Sequence, residues 1–262
     1  MIKNRTINSL ILDMDGVLWK GEHPIGDLPY IFESIQLLKY NVVLATNNAM
    51  LSVEDYLEKF NRFGVWLEGW QIINSSFATA YYLRNKYPEG GPVYIIGENG
   101  LHKTLEKYGF FHSDNKPIAV VVGLDRGLTY EKLKIATLFI RNGADFIGTN
   151  PDRTYPMPEG LVPGAGSILA ALESASDSSP KIIGKPAPEM YFVALERLRS
   201  KPEETLVIGD RLETDIAGAQ LIGCPTGLVL SGVTTLEMAK EWKPTPTFIS
   251  QDLTNLLNEI NE

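Results

Sequence analysis

Eight short apolar runs set the frame for this chain: SLIL (9–12), NVVLA (41–45), VYIIG (93–97), IAVVVG (118–123), ADFIGT (144–149), KIIG (181–184), TLVIGD (205–210) and TGLVLS (226–231). Each is too short for a helix, and most are rich in β-branched residues, so they read as strands buried on both faces. Between several of them the spacing changes to that of a helix. Over 27–40 the apolar residues are Leu28, Ile31, Phe32, Ile35 and Leu38. Ser52 with Asp55 reads as a capping box opening a helix over 53–63 that stops at Gly64. Helices are also expected over 101–108 and 130–141. Strands alternating with helices predict an α/β fold, a doubly wound parallel sheet covered on both faces.

In such a sheet, ligands bind beyond the carboxyl ends of the strands. The residues that follow these runs are therefore informative. Asp13 and Asp15 follow the first, Thr46 and Asn47 the second, Lys185 the sixth and Asp210 the seventh. All are expected over one edge of one sheet. Two carboxylates two residues apart repel unless something positive lies between them. Carboxylates, a hydroxyl, an amide and one lysine together suit a hard cation beside an anion. Mg²⁺ takes one or two carboxylates plus phosphate and water. The object between the aspartates is thus expected to be Mg²⁺, with a phosphate next to it.

Composition narrows the partners. The 262 residues are 44% hydrophobic and 21% charged, enough for one large domain or two modest ones. A net charge of −8 disfavours nucleic acid and anionic membrane surfaces. Cys224 is the single cysteine, so no intrachain disulfide can form, which fits a reducing, cytoplasmic setting. No apolar run approaches the roughly 20 residues that span a bilayer. Lys3 and Arg5 precede an apolar stretch, but Asp13 and Asp15 interrupt it, so it does not read as a signal peptide.

Each polar element has a plainer explanation by itself. An Asp-x-Asp is common in turns, LATNN reads as a turn, and GKPAP as a solvated loop. GDRLETD contains Thr214 and Asp215, either of which could cap the next helix. Four such elements, in order and each at a strand end, fit those explanations poorly.

Together, DMDGV (13–17), TNN (46–48), GKP (184–186) and GDRLETD (209–215) resemble the four signature motifs of the haloacid dehalogenase-like hydrolases. TNPDRTYP (149–156), PGAGSILAAL (163–172) and GKPAPEMY (184–191) resemble stretches of the subfamily with NagD and the p-nitrophenylphosphatase-like and phosphoglycolate phosphatases. The resemblance runs from about Ile11 to Gly232. It implies a Rossmann-like core with an inserted α/β cap, and a Mg²⁺-dependent phosphatase acting on a small phosphorylated metabolite such as a sugar phosphate. Asp13 is then the nucleophile that becomes an aspartyl-phosphate. Asp15 is the general acid and then the base, with its carbonyl on the metal. Thr46, Asn47 and Asn48 form the phosphoryl-binding motif, and Lys185 neutralises nucleophile and phosphate. Asp13 and Asp210 ligate Mg²⁺, with Asp215 acting directly or through a water. Gly16 is expected to let backbone amides approach the phosphoryl group.

Thr46 and Lys185 must meet although well over a hundred residues separate them. The expected division is a core of 1–79 and 180–262 with a cap of 80–179, EGGP (89–92) and SDSSP (176–180) lying near its ends. The loop over 149–160, with Asn150, Asp152, Arg153 and Tyr155, is the expected place for reading the substrate, Asn150 first. His23, His102 and His112 lie away from the motifs and read as surface or structural. A homodimer is compatible with the sequence.

Other classes fit less well. A phospho-receiver module shares the chemistry but is about half this length and orders its acids differently. A dehalogenase needs neither metal nor an acid at position 15. A catalytically dead binding protein would not keep every motif position intact. A phosphotransferase or phosphomutase of the same fold remains a reading the residues allow.

Overall fold

The computed structural model describes residues 7–157 and 160–261. The readings that involve Lys3, Arg5, Pro158 and Glu159 fall outside the described residues. In chain order the first elements are β1 (Ser9–Leu12), β2 (Trp19–Lys20), β3 (His23–Pro24), α1 (Leu28–Leu37), β4 (Asn41–Thr46), α2 (Val53–Arg62), β5 (Ile72–Asn74) and α3 (Ser75–Lys86). Then come β6 (Gly91–Ile96), α4 (Asn99–Lys107), β7 (Phe110–His112), β8 (Ala119–Val122), α5 (Tyr130–Arg141), β9 (Asp145–Gly148), β10 (Thr154–Met157), β11 (Gly160–Pro163), α6 (Ala165–Ser176) and β12 (Lys181–Ile182). The chain closes with α7 (Pro188–Leu198), β13 (Thr205–Gly209), a π-helical turn at Leu212–Ile216, α8 (Ala217–Leu221), β14 (Thr226–Val229), α9 (Leu236–Glu241), β15 (Phe248–Ser250) and α10 (Leu253–Asn261).

Two compact units divide these elements. One comprises Met1–Thr46, Val53–Ile73 and Lys185–Glu262; the other comprises Asn47–Ser52 and Asn74–Gly184. The first is built on a six-stranded sheet in the order β15-β14-β13-β1-β4-β5. β1 lies at its centre, parallel to both β13 and β4. Its four residues are all buried, as a strand covered on both faces requires. Asp27 caps α1 by accepting from the Tyr30 amide at 3.2 Å, and Leu28, Ile31 and Ile35 form its buried stripe.

The second unit has a parallel sheet of its own, in the order β12-β9-β8-β6-β7, and the antiparallel β10–β11 pair. Thr129 caps α5 by accepting from the Lys132 amide at 3.2 Å. α5 and α6 supply Ala136, Ile140, Ile168, Leu169 and Leu172 to a core with Val120 and Val122 of β8. Among the described residues no helix is long and apolar enough to cross a membrane.

Two expectations differ from this arrangement. KIIG forms β12, which pairs with β9 in the second sheet, so Lys185 does not follow a strand of the sheet that carries Asp13. A two-residue strand with one neighbour carries too little pattern to reveal its sheet. The long segment of the second unit runs from Asn74 to Gly184, against the expected 80–179, and position 80 falls inside α3. Asn74 caps that helix, accepting from the Phe77 amide at 2.7 Å, and the helix start also fixes the loop over 47–52. Ser75 Oγ donates to the Asn47 carbonyl at 2.6 Å, Ser76 Oγ to that of Ala49 at 3.0 Å, and Asn74 Nδ2 to that of Leu51 at 2.7 Å.

Candidate active site

β1 ends directly in Asp13, whose amide donates to the Ile208 carbonyl of β13 at 2.8 Å. This carries the parallel ladder one residue beyond the strand and sets Asp13 beside the end of β13, where Asp210 follows Gly209. The π-helical turn then brings Asp215 back. Asp215 Oδ2 accepts from the Arg211 amide at 3.1 Å, and the Tyr191 hydroxyl on α7 donates to the carbonyls of Thr214 and Asp215 at 3.0 and 3.1 Å. Ligand oxygens of Asp13, Asp210 and Asp215 all lie within 4.8 Å of one another, and all three residues are buried.

Lys185 enters this group from 172 residues away in sequence. Its Nζ donates to Asp13 Oδ1 at 2.5 Å, to Asp215 Oδ1 at 2.6 Å and to the Ala45 carbonyl at 2.8 Å. Three carboxylates against one ammonium leave an excess of negative charge in a dry place. The pKa values reflect it. Burial pulls the Lys185 ammonium down, but Asp13 and Asp215 outweigh that and hold it above its ordinary value. Burial pushes Asp13 well up, with Lys185 opposing. Burial, helped by Asp215, pushes Asp210 up to about 6.

Asp210 is fixed on one side only. Its Oδ2 accepts from the Val233 amide at 2.8 Å, while its buried Oδ1 has no hydrogen-bond partner. A buried carboxylate oxygen without a donor is costly, and a cation satisfies it. The donor set is all oxygen, as Mg²⁺ prefers. These residues therefore fit a divalent metal. Both oxygens of Asp215 already accept hydrogen bonds, which leaves Asp210 Oδ1 the better placed of the two for direct ligation.

Gly16 answers a further steric demand. A side chain there would run into the Asp210 carboxylate, as would one at Gly232, and Gly16 also has a φ of +87°. Its bareness makes room for an acid of the cluster. Ser231 Oγ donates to the Gly16 carbonyl at 2.7 Å, tying the segment after β14 to the DMDGV turn. Ser231, Gly232 and Val233 escaped sequence reasoning; the turn-like SG pair after TGLVL was their one signal. Tyr191 escaped it too, as a residue at ordinary helical spacing.

Asp15 opens to solvent, yet the protein packed around its carboxyl pushes its pKa up, with Lys59 and a Trp19 hydrogen bond opposing. Thr46 is buried at the end of β4, in the same unit as Asp13 and Lys185. Asn47, Asn48 and Asn150 belong to the second unit. Asn48 Oδ1 accepts from the Met50 amide at 2.9 Å. Asn150 is buried and engaged at both ends: Nδ2 donates to the Asn47 carbonyl at 2.8 Å and Oδ1 accepts from the Asp152 amide at 3.1 Å. Asn47 Nδ2 in turn reaches Asp152 Oδ2 at 3.4 Å. Asn150 thus holds the Asn47 loop. His102 and His112 form a ring pair 5.6 Å apart, and His112 Nδ1 accepts from the Ile95 amide at 3.1 Å.

Comparison with known proteins places this geometry. A family model described as haloacid dehalogenase-like hydrolase matches residues 10–111, and one described as HAD-hydrolase-like matches 182–256. The acid sugar phosphatase of Staphylococcus aureus (strain USA300) is 34% identical over 253 residues, covering 96% of this chain and 97% of that protein. The structure of a 4-nitrophenylphosphatase from Thermotoga maritima matches with a TM-score of 0.91 and 33% identity, over 96% of this chain and 97% of that one. NagD from the E. coli K-12 strain matches with a TM-score of 0.87 and 33% identity, over 95% and 97%. With two family models and full-length relatives in agreement, the chain belongs to the haloacid dehalogenase-like hydrolases, in the phosphatase subfamily that includes NagD and the p-nitrophenylphosphatases.

Proposed function

We propose that the chain is a Mg²⁺-dependent phosphatase that hydrolyses a small phosphorylated metabolite, of the sugar phosphate class, through an aspartyl-phosphate on Asp13. The observation that carries this reading is the buried cluster of Asp13, Asp210 and Asp215 around Lys185, with Asp210 Oδ1 left unpaired. The sugar phosphate class is supported by the acid sugar phosphatase relatives. A cytoplasmic setting fits such a substrate and the single cysteine.

In this reading an Asp13 oxygen attacks phosphorus while the bond from phosphorus to the ester oxygen breaks. Asp15 gives its proton to the departing oxygen, since an alkoxide is a poor leaving group. A water then attacks phosphorus, Asp15 takes its proton, and the Asp13–phosphorus bond breaks to release inorganic phosphate. A carboxylate nucleophile thus divides one difficult displacement into two. Lys185 holds Asp13 and offsets its charge against the anionic phosphoryl group, assisted by Thr46 and Asn47 on the phosphoryl oxygens. Asp13, Asp210 and the Asp15 carbonyl would hold Mg²⁺, with Asp215 beside them, and the ion would supply positive charge to offset the anionic nucleophile and phosphate. The test is a turnover screen over phosphorylated metabolites with Mg²⁺, repeated in excess chelator. Release of phosphate from sugar phosphates only when Mg²⁺ is present is the expected result. Turnover in chelator, or none on any phosphate ester, would sink the reading.

A further inference from the structure

The DMDGV turn is held from one side by a tryptophan that the reaction just described does not use. The Gly16 amide donates to the Trp19 carbonyl at 2.7 Å and the Leu18 amide to that of Met14 at 2.8 Å, so the chain doubles back within five residues. Trp19 is thereby returned to Asp15, and its Nε1 donates to Asp15 Oδ1 at 3.0 Å. The indole is fully buried. It stacks on Tyr56 with centroids 6.5 Å apart and planes 16° apart, and it meets Phe60 at 5.0 Å and Phe63 at 5.9 Å.

The ring also carries a cation. Lys59 Nζ lies 4.4 Å from the Trp19 ring centroid. The same ammonium donates to the Gly21 carbonyl at 2.7 Å and pairs with Glu22 at 3.4 Å, although only 8% of its side chain is exposed. Lysine is rarely buried to this degree without strong partners. Here the partners are a carbonyl and a carboxylate of the turn between β2 and β3, and an aromatic face. Lys59 therefore ties α2 to both that turn and the indole.

We infer that Trp19, seated by Lys59, is a positioning residue that fixes the Asp15 carboxyl for proton transfer with the substrate oxygen. The inference rests on the proposed role of Asp15 as acid and base. The geometry divides the two carboxyl oxygens. Oδ1 is taken by the indole, and among the described residues no other hydrogen bond reaches this side chain, so Oδ2 is the oxygen left to carry the proton. A carboxyl on a turn, open to solvent, otherwise rotates freely about its last bond. Holding it in one orientation removes that freedom from the transition state. A buried indole N–H needs an acceptor, and here the acceptor is the carboxyl proposed to carry the proton.

The test compares kcat/KM for glycerol phosphate, whose alkoxide needs a proton, with kcat/KM for p-nitrophenyl phosphate, whose leaving group needs little help. Both report steps up to phosphoryl transfer, so later hydrolysis of the aspartyl-phosphate does not mask the difference. Trp19→Phe keeps an aromatic ring and removes the N–H. It is expected to lower the alkyl-to-nitrophenyl ratio about tenfold, a fraction of what general acid catalysis supplies. Asp15→Asn is expected to lower the same ratio further. A Trp19→Phe ratio equal to wild type, with Asp15→Asn shifted, would overturn the positioning role alone. An unshifted Asp15→Asn ratio would overturn the acid role and this inference with it. Should Trp19→Phe fail to fold by circular dichroism, Lys59→Met decides. It leaves the indole but removes its anchor, and a fall of about threefold in the ratio is expected; no fall would overturn the inference.

Discussion

Lys185 is the structure's most sharply defined stability test. Replacing it with Met keeps an unbranched side chain of similar length but removes the ammonium that serves Asp13, Asp215 and the Ala45 carbonyl. Asp13 and Asp215 then lose their common partner while Asp210 remains nearby. Breaking one buried ion pair in this way costs about 3–5 kcal/mol. For a protein of this size that lowers the melting temperature by roughly 6–20 °C. Urea unfolding in chelator is the assay, followed by tryptophan fluorescence. Trp19, Trp66, Trp70 and Trp242 all lie in the unit that holds the cluster, so the signal reports that unit. The pH dependence carries a sign. Asp13 and Asp210 have folded pKa values above their unfolded ones, so the folded state binds more protons over the window between them. For Asp210 that window runs from 3.8 to about 6. Stability contributed by these groups therefore rises as pH falls through about 6 toward 4, and the Lys185→Met deficit should shrink between pH 7 and pH 5. Adding Asp215→Asn to Lys185→Met should return part of the loss at pH 7. A Lys185→Met protein within about 1 kcal/mol of wild type at pH 7 would refute the account of the cluster.

Asp13→Asn preserves shape but removes the attacking charge; turnover should drop by several orders of magnitude with an unaltered circular dichroism spectrum, and near-normal turnover would rule Asp13 out as nucleophile. Chelation should abolish activity, Mg²⁺ should restore it, and Ca²⁺ should restore it poorly because its larger, looser shell misplaces an in-line attack. Mg²⁺ should also raise the melting temperature of wild type more than that of Asp210→Asn, and an equal rise would place the ion elsewhere. In the second unit, Asn150→Ala should slow all phosphate esters alike, since it frees the Asn47 loop, whereas Tyr155→Ala should change the ratios among them; a kcat/KM panel showing the reverse would exchange their roles.

How much of this was legible in the sequence depends on the range of the contact involved. The strands could be read because burial on both faces writes an unbroken apolar run, as in AVVV of β8 and VVLAT of β4. The acids could be read because a parallel sheet sends its strand ends to one edge, and Asp13, Asp210 and Asp215 do meet. Lys185 reaches them too, but not from the expected strand, because two residues of pattern cannot choose between two sheets. The use of Gly16 was hidden for a related reason. Glycine in a turn suggests backbone freedom, and nothing local in the sequence shows that the space goes to Asp210, almost two hundred residues later. Trp19 lies two residues beyond DMDGV, and its apolar ring gives no sign in the sequence that its N–H is engaged by Asp15. Asn150 stands out in the sequence for its polar side chain, but its bonds to Asn47 and Asp152 are contacts that the sequence does not show.

The loop at 47–52 bears on how such a chain can be taken apart. Ser75, Ser76 and Asn74 place side-chain donors on the carbonyls of Asn47, Ala49 and Leu51, and Asn150 adds a second donor to Asn47. An engineer who excised everything from Asn74 to Gly184, to graft a relative's segment in its place, would discard all four donors and keep the acceptors. At about 1 kcal/mol per bond the retained loop would lose roughly 4 kcal/mol of restraint. The stretch that transplants cleanly is therefore discontinuous. A working chimera has to bring residues 47–52 from the same donor as 74–184, or keep Asn74, Ser75, Ser76 and Asn150 in the graft. The same arithmetic predicts that substitutions at these four positions and in the loop will be accepted together more readily than singly.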